Sequence, residues 1–336
     1  MSIEVTSAET DDLERWDSYV ERSAQGWLFH QLSALRTQAD HAGGELHLLV
    51  GHKGQEPVGI FPVFELRKGP IPTAFSPPPD LRVPTLGPAL LNMDKLKRRK
   101  AERRHRQFVE GCLEWMADEI GPWYAHVRTA TEYPDLRPFI WEGAEVSLNH
   151  TYAVDLSREA DDLLAAFSRD ARSNVTGEYD TPYTVDIAGR DALGDILEQV
   201  RERYRAQGKS FELPTGFVLD LYDALPEGQV RPYVLSVDGS FVGGIVALRY
   251  GETVARWQGG VRTDTDVDLP VNDLLDWAVM RDGVAEGLAW YDLVGADTPR
   301  LNEYKAKFDP ELHTVHGVET GARPVIELAH AYERVK

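Results

Sequence analysis

The chain has 336 residues, long for a single core and comfortable for two domains, with 42% hydrophobic residues to fill them. Its 55 acidic residues outweigh 36 basic ones, a net charge of −19 that argues against indiscriminate binding of nucleic acid or anionic membrane by the whole surface. Cys112 is the only cysteine, which excludes an intramolecular disulfide and a cysteine metal cluster.

The basic residues comprise 27 arginines and only 9 lysines. An acidic, lysine-poor surface is what a protein soluble in concentrated salt carries, because repulsion keeps it dispersed and salt screens the cost to the fold. Halophilic behaviour is therefore expected, and stability should rise as KCl is added; unfolding midpoints that peak near low salt would contradict this. The start, Met1-Ser2-Ile3-Glu4, lacks a basic region and an apolar signal core, and no run approaches 18 apolar residues. A cytoplasmic protein without integral membrane association is expected.

Ile3–Val5 reads as a short strand, followed by a helix that Asp11 or Asp12 caps and that carries Leu13, Trp16 and Val20. A second helix runs from about Gln31 to Ala39. Leu46–Val50 and Val58–Leu66 form a hairpin about Lys53-Gly54-Gln55, with Pro62 confined to an edge or bulge because it cannot donate to a ladder. Seven prolines between Lys68 and Asn92 predict a long stiffened loop, either a wall of a substrate cleft or a surface wrap.

Asp94 is expected to cap a long helix to about Ile120, with Phe108, Cys112, Trp115 and Met116 facing the core. Its start holds eight basic residues in twelve positions, among them Lys97, Arg98, Arg99, Arg103 and Arg104. At a helix N-terminus the dipole disfavours cations. The run is either a solvated face or a polyanion site such as one for an RNA backbone. Pro122–Thr129 reads as a strand and Pro134–Trp141 as irregular, and the domain boundary falls near Ser147–His150.

The strand Val146–Leu156 runs across it, and beyond come a helix from about Arg158 to Phe167, a basic turn with Arg169 and Arg172, and the strand Tyr183–Ile187. Helices follow at Asp191–Gln207 and Pro214–Leu225. Arg231–Val237 and Phe241–Tyr250 flank Asp238-Gly239, a hairpin signal because the tight turn needs positive φ. Thr253–Gly259 is a third strand, with Trp257 and Gln258 at its end as core residues or cleft lining. Pro270 opens a helix whose Val271, Leu274, Leu275, Ala278 and Val279 share one face, and Ala289–Val294 reads as a buried strand. Pro299 to about Phe308 is a short helix on which Lys305 shares the inward stripe of Leu301 and Phe308 while Lys307 points away. Lys305 either snorkels to water or serves a site. Asp292, within the buried strand, is either a structural carboxylate or a base.

The run Leu288-Ala289-Trp290-Tyr291-Asp292-Leu293-Val294-Gly295, followed by Leu301-Asn302-Glu303-Tyr304-Lys305-Ala306-Lys307-Phe308, resembles the closing motif of the FemAB-like transferases. Asp309 stands where that motif often has Gly. The resemblance implies an α/β fold of two tandem GNAT-like mixed-sheet domains with a cleft between them. The domains are placed at 1–148 and 149–336, with a last strand at about 318–330, Arg323–Leu328 within it, returning to the first domain. It also implies transfer of an acyl or aminoacyl group to an amine. Lys305 would stabilise the transition state, Asp292 would act as base or positioner, and Tyr304, Phe308, Trp257, Gln258, Arg169 and Arg172 would bind substrate.

A repeat is visible as well, in two hairpins and in Trp-Tyr-x-x-Val at Trp123–Val127 and Trp290–Val294. An ordinary coenzyme A site exposes glycine-rich backbone to a pyrophosphate, whereas Arg262–Leu269 is acidic and glycine-free. No bound cofactor is expected, and the donor is aminoacyl-tRNA or acyl-CoA. The acceptor is a small-molecule or cell-envelope amine; tRNA is a possible partner and DNA is not. The alternative is a noncatalytic GNAT-fold module that binds tRNA or another polyanion. His313 and His316 form an isolated His-x-x-His with no further spaced ligands, and no metal site is expected. Nucleophile-elbow, Walker and Rossmann patterns are absent from the sequence.

Overall fold

The computed structural model describes residues 2–260, 267–296 and 298–335. It divides into two compact units, Met1–Asn149 with Thr314–Lys336, and His150–His313.

In the first unit, β1 (Glu4–Ser7) leads to α1 (Thr10–Arg22). A reciprocal pairing of Glu9 and Asp12 closes the start of α1, so the cap is Glu9 rather than Asp11 or Asp12 alone. α2 (Leu32–Ala42) ends at Gly43 in the left-handed region. β2 (Glu45–Lys53) and β3 (Glu56–Lys68) form the expected hairpin, with Leu48 opposite Pro62. The proline-rich segment is not one long loop. It contains β4 (Ile71–Ser76) and β5 (Ala89–Leu90), and in β4 the inward residues are Pro72, Ala74 and Ser76. Such small residues hid the period of two. Pro62 falls between the stretches of β3 that pair with β5 and with β4. α3 (Arg98–Glu119) begins at Lys97, three residues later than the expected cap Asp94. β6 (Tyr124–Arg128) and α4 (Arg137–Trp141) follow.

β7 (Glu145–Asp155) leads into the second unit, through α5 (Ala160–Ala166) and α6 (Arg169–Thr176). The expected basic turn is therefore helical, because the Ser168 hydroxyl accepts from the Ala171 N–H and restarts the helix. β8 (Tyr183–Ile187), α7 (Ala192–Ala206) and α8 (Thr215–Ala224) precede the meander β9 (Val230–Val237), β10 (Ser240–Tyr250) and β11 (Thr253–Gly259). Asp238 and Gly239 both take positive φ, at 50° and 75°, as that two-residue turn requires. α9 (Val271–Ala285), β12 (Trp290–Asp292) and α10 (Pro299–Ala306) complete the unit.

β13 (Glu311–Gly321) then pairs with β6, Gly317 opposite Arg128 and Gly321 opposite Tyr124. The segment expected as a strand at Arg323–Leu328 is instead the start of α11 (Arg323–Val335). Pro324 sits near its first turn, and Ile326 is buried while Leu328 is 70% exposed, a helical rather than a two-residue alternation.

Strand order is β1-β2-β3-β4-β6-β13 in the first unit and β8-β9-β10-β11-β12-β7 in the second. Each unit thus has an antiparallel meander, a parallel strand reached through a helix (α3 or α9), and an antiparallel closing strand. Both Trp-Tyr pairs mark the start of the parallel strand: Trp290 and Tyr291 open β12, and Tyr124 opens β6 with Trp123 just ahead of it. One plan is used twice, each unit around its own apolar core: Phe108, Phe61 and Phe139 in the first, Phe167, Phe308 and Tyr291 in the second.

Candidate active site

β11 and β12 pair in parallel only over Thr253–Ala255 with Trp290–Asp292. Past Asp292 the chain follows β7, where Leu293 N–H donates to Tyr152 O at 2.8 Å and Ala296 N–H to His150 O at 2.7 Å. β11 instead continues with β10 to Gly259, through a bulge at Val246 and Ala247. The two strands therefore share no ladder beyond Ala255, and the region between the end of β11 and the 293–296 segment is the wedge. At the far end of β11, Arg203 Nη1 of α7 donates to Gly259 O at 3.1 Å and to Gly260 O at 2.9 Å.

Asp292 stands at the vertex. Its Oδ1 accepts from the Thr151 hydroxyl at 2.5 Å and from Val294 N–H at 2.8 Å, while Thr151 Oγ accepts from Gly295 N–H at 3.0 Å. Burial pushes the Asp292 carboxyl above the ordinary carboxylate range, opposed by these two bonds and by the nearby Lys305 ammonium. Such a carboxylate is a better proton acceptor than a solvated one.

Lys305 is buried on α10, and its ammonium donates to Val294 O at 2.8 Å and Gly295 O at 2.6 Å. It does not snorkel. Val294 has φ of +51° and Gly295 of +86°. For a β-branched residue that conformation is strained, and such strain persists only where surroundings over-determine it. Asp292 grips the Val294 N–H and Lys305 grips its carbonyl. Lys305→Met would leave two carbonyls without a charged donor, so a loss of about 2–4 kcal/mol in urea unfolding is expected; an unchanged midpoint would contradict the clamp.

The other expected substrate residues are placed differently. Leu301 is 52% exposed rather than inward, and Lys307 does not point away. Its ammonium lies 3.9 Å from the Tyr304 ring centroid and pairs with Asp273, which also accepts from Asn174 Nδ2 at 2.7 Å. Phe308 is fully buried, edge-on to Phe167 at 5.2 Å, and Trp257 is buried against Phe217 at 6.1 Å. Both are core. Tyr304 donates its hydroxyl to Asp276 Oδ2 at 2.6 Å. Gln258 lies in the bulged end of β11, partly buried. Arg169 is exposed at the first position of α6, and Arg172 Nη1 donates to Ala165 O at 3.0 Å.

The polyanion candidates lie in the first unit. Lys97, Arg99 and Arg103 are exposed, and Arg98 pairs with Glu102 at 3.0 Å. Arg104 is withdrawn from that surface: it is buried, and its two amino nitrogens grip both oxygens of Glu56 at 2.9 and 3.0 Å. His313 meets the Trp290 ring edge-on at 5.2 Å, and burial lowers the His316 pKa. Among the described residues, metal-ligand atoms gather only at Glu45, His47 and Glu65, where Arg67 already pairs with Glu65.

Sequence reading missed Asp276, fully buried on α9. Its Oδ1 accepts from Arg256 Nε at 2.7 Å and from the Tyr291 hydroxyl at 2.6 Å. Together with Tyr304 these bonds tie β11, α9, β12 and α10 into one frame. The available signal was an aspartate set among the apolar residues of α9, Leu274, Leu275 and Ala278.

Residues 262–266 of the acidic loop lie outside the described residues. The described start of α9 does not fit a pyrophosphate cradle. Pro270 has no N–H, Val271 N–H donates to Leu269 O, Asp273 N–H donates to Pro270 O, and the Asp273 carboxylate sits in the first turn.

Residues 158–306 match the acetyltransferase (GNAT) domain model. The fold is that of tandem GNAT-like units: it is similar to the crystal structure of FemX, with a TM-score of 0.74 at 12% identity over 97% of this chain and 99% of that one. It is also similar to the C-terminal domain of a putative lysylphosphatidylglycerol synthetase from Agrobacterium fabrum (TM-score 0.55, 16% identity, 97% and 96% covered). A tandem GNAT protein from the clavulanic acid biosynthesis pathway matches with a TM-score of 0.50 at 14% identity, covering 95% of this chain and 99% of that one. No curated protein matches the chain significantly in sequence.

Proposed function

We propose that the second unit transfers an acyl or aminoacyl group from an activated ester or thioester to an amine. The observation that carries this reading is the vertex of the wedge, where a carboxyl of raised pKa and a buried ammonium together hold a strained Val294. An extended donor laid beside the end of β11 would be held there through backbone hydrogen bonds. The amine nitrogen attacks the acyl carbon, its proton passes to Asp292, and the bond to the donor's oxygen or sulfur breaks. Lys305, through Val294 and Gly295, sets the turn against which the developing oxyanion forms.

The FemX and lysylphosphatidylglycerol synthetase likenesses agree with an amine or aminoacyl chemistry, and the α9 start favours a donor without a pyrophosphate at that place. Aminoacyl-tRNA fits better than acyl-CoA on that count. One observation favours the alternative of a noncatalytic binding module: Lys305 spends two N–H groups on carbonyls. The two readings separate when the protein is incubated with total aminoacylated tRNA, or with acetyl-CoA, and a panel of primary amines. A new amide detected by mass spectrometry supports transfer. Retention of RNA on a filter with no amide from either donor supports the module.

A further inference from the structure

The first unit carries a basic surface built from residues outside the candidate site of the second unit. Residues 95–106 hold eight basic residues against one acidic residue, Glu102. Seven of the eight are exposed; only Arg104 is buried. Lys53, at the neighbouring hairpin turn, is held below the usual amine range by desolvation and by the charges of Arg104, Lys100 and Arg103, so these cations share one field. Lys53, Lys95, Lys97 and Lys100 are four of only nine lysines in a chain of net charge −19. Positive charge is concentrated here against the trend of the whole molecule.

Beside this field, α4 packs on α3 and presents Ile140 and Trp141, exposed by 50% and 55%. The guanidiniums of Arg106 and Arg137 lie over the Trp141 ring, 5.5 and 5.6 Å from its centroid. A nucleobase platform needs an open aromatic face, whereas this ring is already stacked by cations and its neighbour is aliphatic. Arg106 also pairs with Glu110, and Arg137 with Glu102 and Asp135. An exposed Trp–Ile pair with two guanidiniums over the indole, and with the exposed cations of α3 alongside, matches the boundary between lipid headgroups and acyl chains.

We infer that the α3–α4 face of the first unit is a peripheral docking surface for an anionic phospholipid bilayer. Ile140 and Trp141 enter the headgroup boundary, and Arg98, Arg99, Lys100 and Arg103 contact lipid phosphates. Among the described residues no helix is long and apolar enough to cross a membrane, so contact is from one side. At about 0.1 M salt the Debye length is ~10 Å, which screens remote acidic residues but not arginine–phosphate contacts. The inference stands apart from the acyl-transfer reading and is tested without any assay of activity.

The test is co-flotation of the full chain at about 0.1 M KCl with vesicles of phosphatidylcholine, or of phosphatidylcholine with ~30% phosphatidylglycerol. The chain is expected to float only with the anionic vesicles. The pair Arg99→Glu and Arg103→Glu should lower partitioning at least about tenfold, since each charge near such a surface contributes on the order of a several-fold change. Ile140→Ser with Trp141→Ser, both at exposed sites, should lower it by roughly threefold or more. Equal partitioning of wild type into the two vesicle types overturns the proposal. So does wild type that fails to float but binds total tRNA with the same arginine dependence, which would make the surface an RNA site. The wild-type comparison holds whether or not a variant folds.

Discussion

Asp292→Asn is expected to lower acyl transfer by about 10²–10⁴-fold, the usual worth of a positioned general base. Asn keeps a carbonyl oxygen to accept from the Thr151 hydroxyl and Val294 N–H, so the vertex geometry survives and only proton acceptance is lost. Because burial raises the Asp292 pKa, kcat/KM of the wild type should climb with pH through a carboxylate displaced above its ordinary range. That limb should vanish in the variant. Stability moves the other way. A carboxyl whose folded pKa lies above its unfolded one stabilises the fold fully only below the unfolded value, and this contribution is lost as pH rises through the folded pKa. Above that window ionised Asp292 weighs against the fold and Asn does not. Guanidinium unfolding at pH 8 should show the variant at least as stable as wild type. A variant that retains the wild-type rate, or the same acidic limb, would remove Asp292 from the reaction.

Asp276→Ala is expected to cost about 3–5 kcal/mol of unfolding free energy, the penalty for leaving a buried ion without its partner. Asp276 is wholly inaccessible, and its two oxygens receive Arg256, Tyr291 and Tyr304. Its loss strands the Arg256 guanidinium and the Tyr304 hydroxyl, both partly buried, and the fully buried Tyr291 hydroxyl. Asp276→Asn keeps acceptor capacity for some of these and should fall between Ala and wild type. A thermal or denaturant shift under about 1 kcal/mol for the Ala variant would show that water reaches the cluster and replaces the carboxylate.

Most of the fold was legible because its elements follow their periods closely. β8 matches its expected span, and β9, β10 and α9 match to within a residue or so; Asp238-Gly239 named its own turn. Failures arose where the marks are small or shared. β4 hid behind inward Pro72, Ala74 and Ser76, and the strand expected at Arg323–Leu328 followed from the family resemblance, whereas the helical spacing of α11 shows only over a longer window. Arg169 and Arg172 looked like loop cations until Ser168 was seen to restart a helix.

The site was half legible. Lys305 and Asp292 stood out as charges in apolar runs, and both are held at the wedge. Phe308 and Trp257 are core: Phe308, just past α10, packs edge-on to Phe167, and Trp257, near the end of β11, packs against Phe217. Asp276 escaped notice because its partners come from four elements distant in the chain, and only the fold assembles them. Lys307 misled for the same reason: its angle on α10 says nothing of Asp273, which arrives from α9.

If the second unit transfers acyl groups as proposed, the donor lies in the wedge beyond Ala255 with its carbonyl at Asp292. Soaking crystals with a nonhydrolysable donor, an amide-linked aminoacyl-adenosine or an acyl-pantetheine amide, measures this directly. The account predicts density running along Arg256–Gly259 with the acyl carbonyl beside Asp292 and the Val294–Gly295 turn. Donor density elsewhere, with those residues untouched, would contradict it.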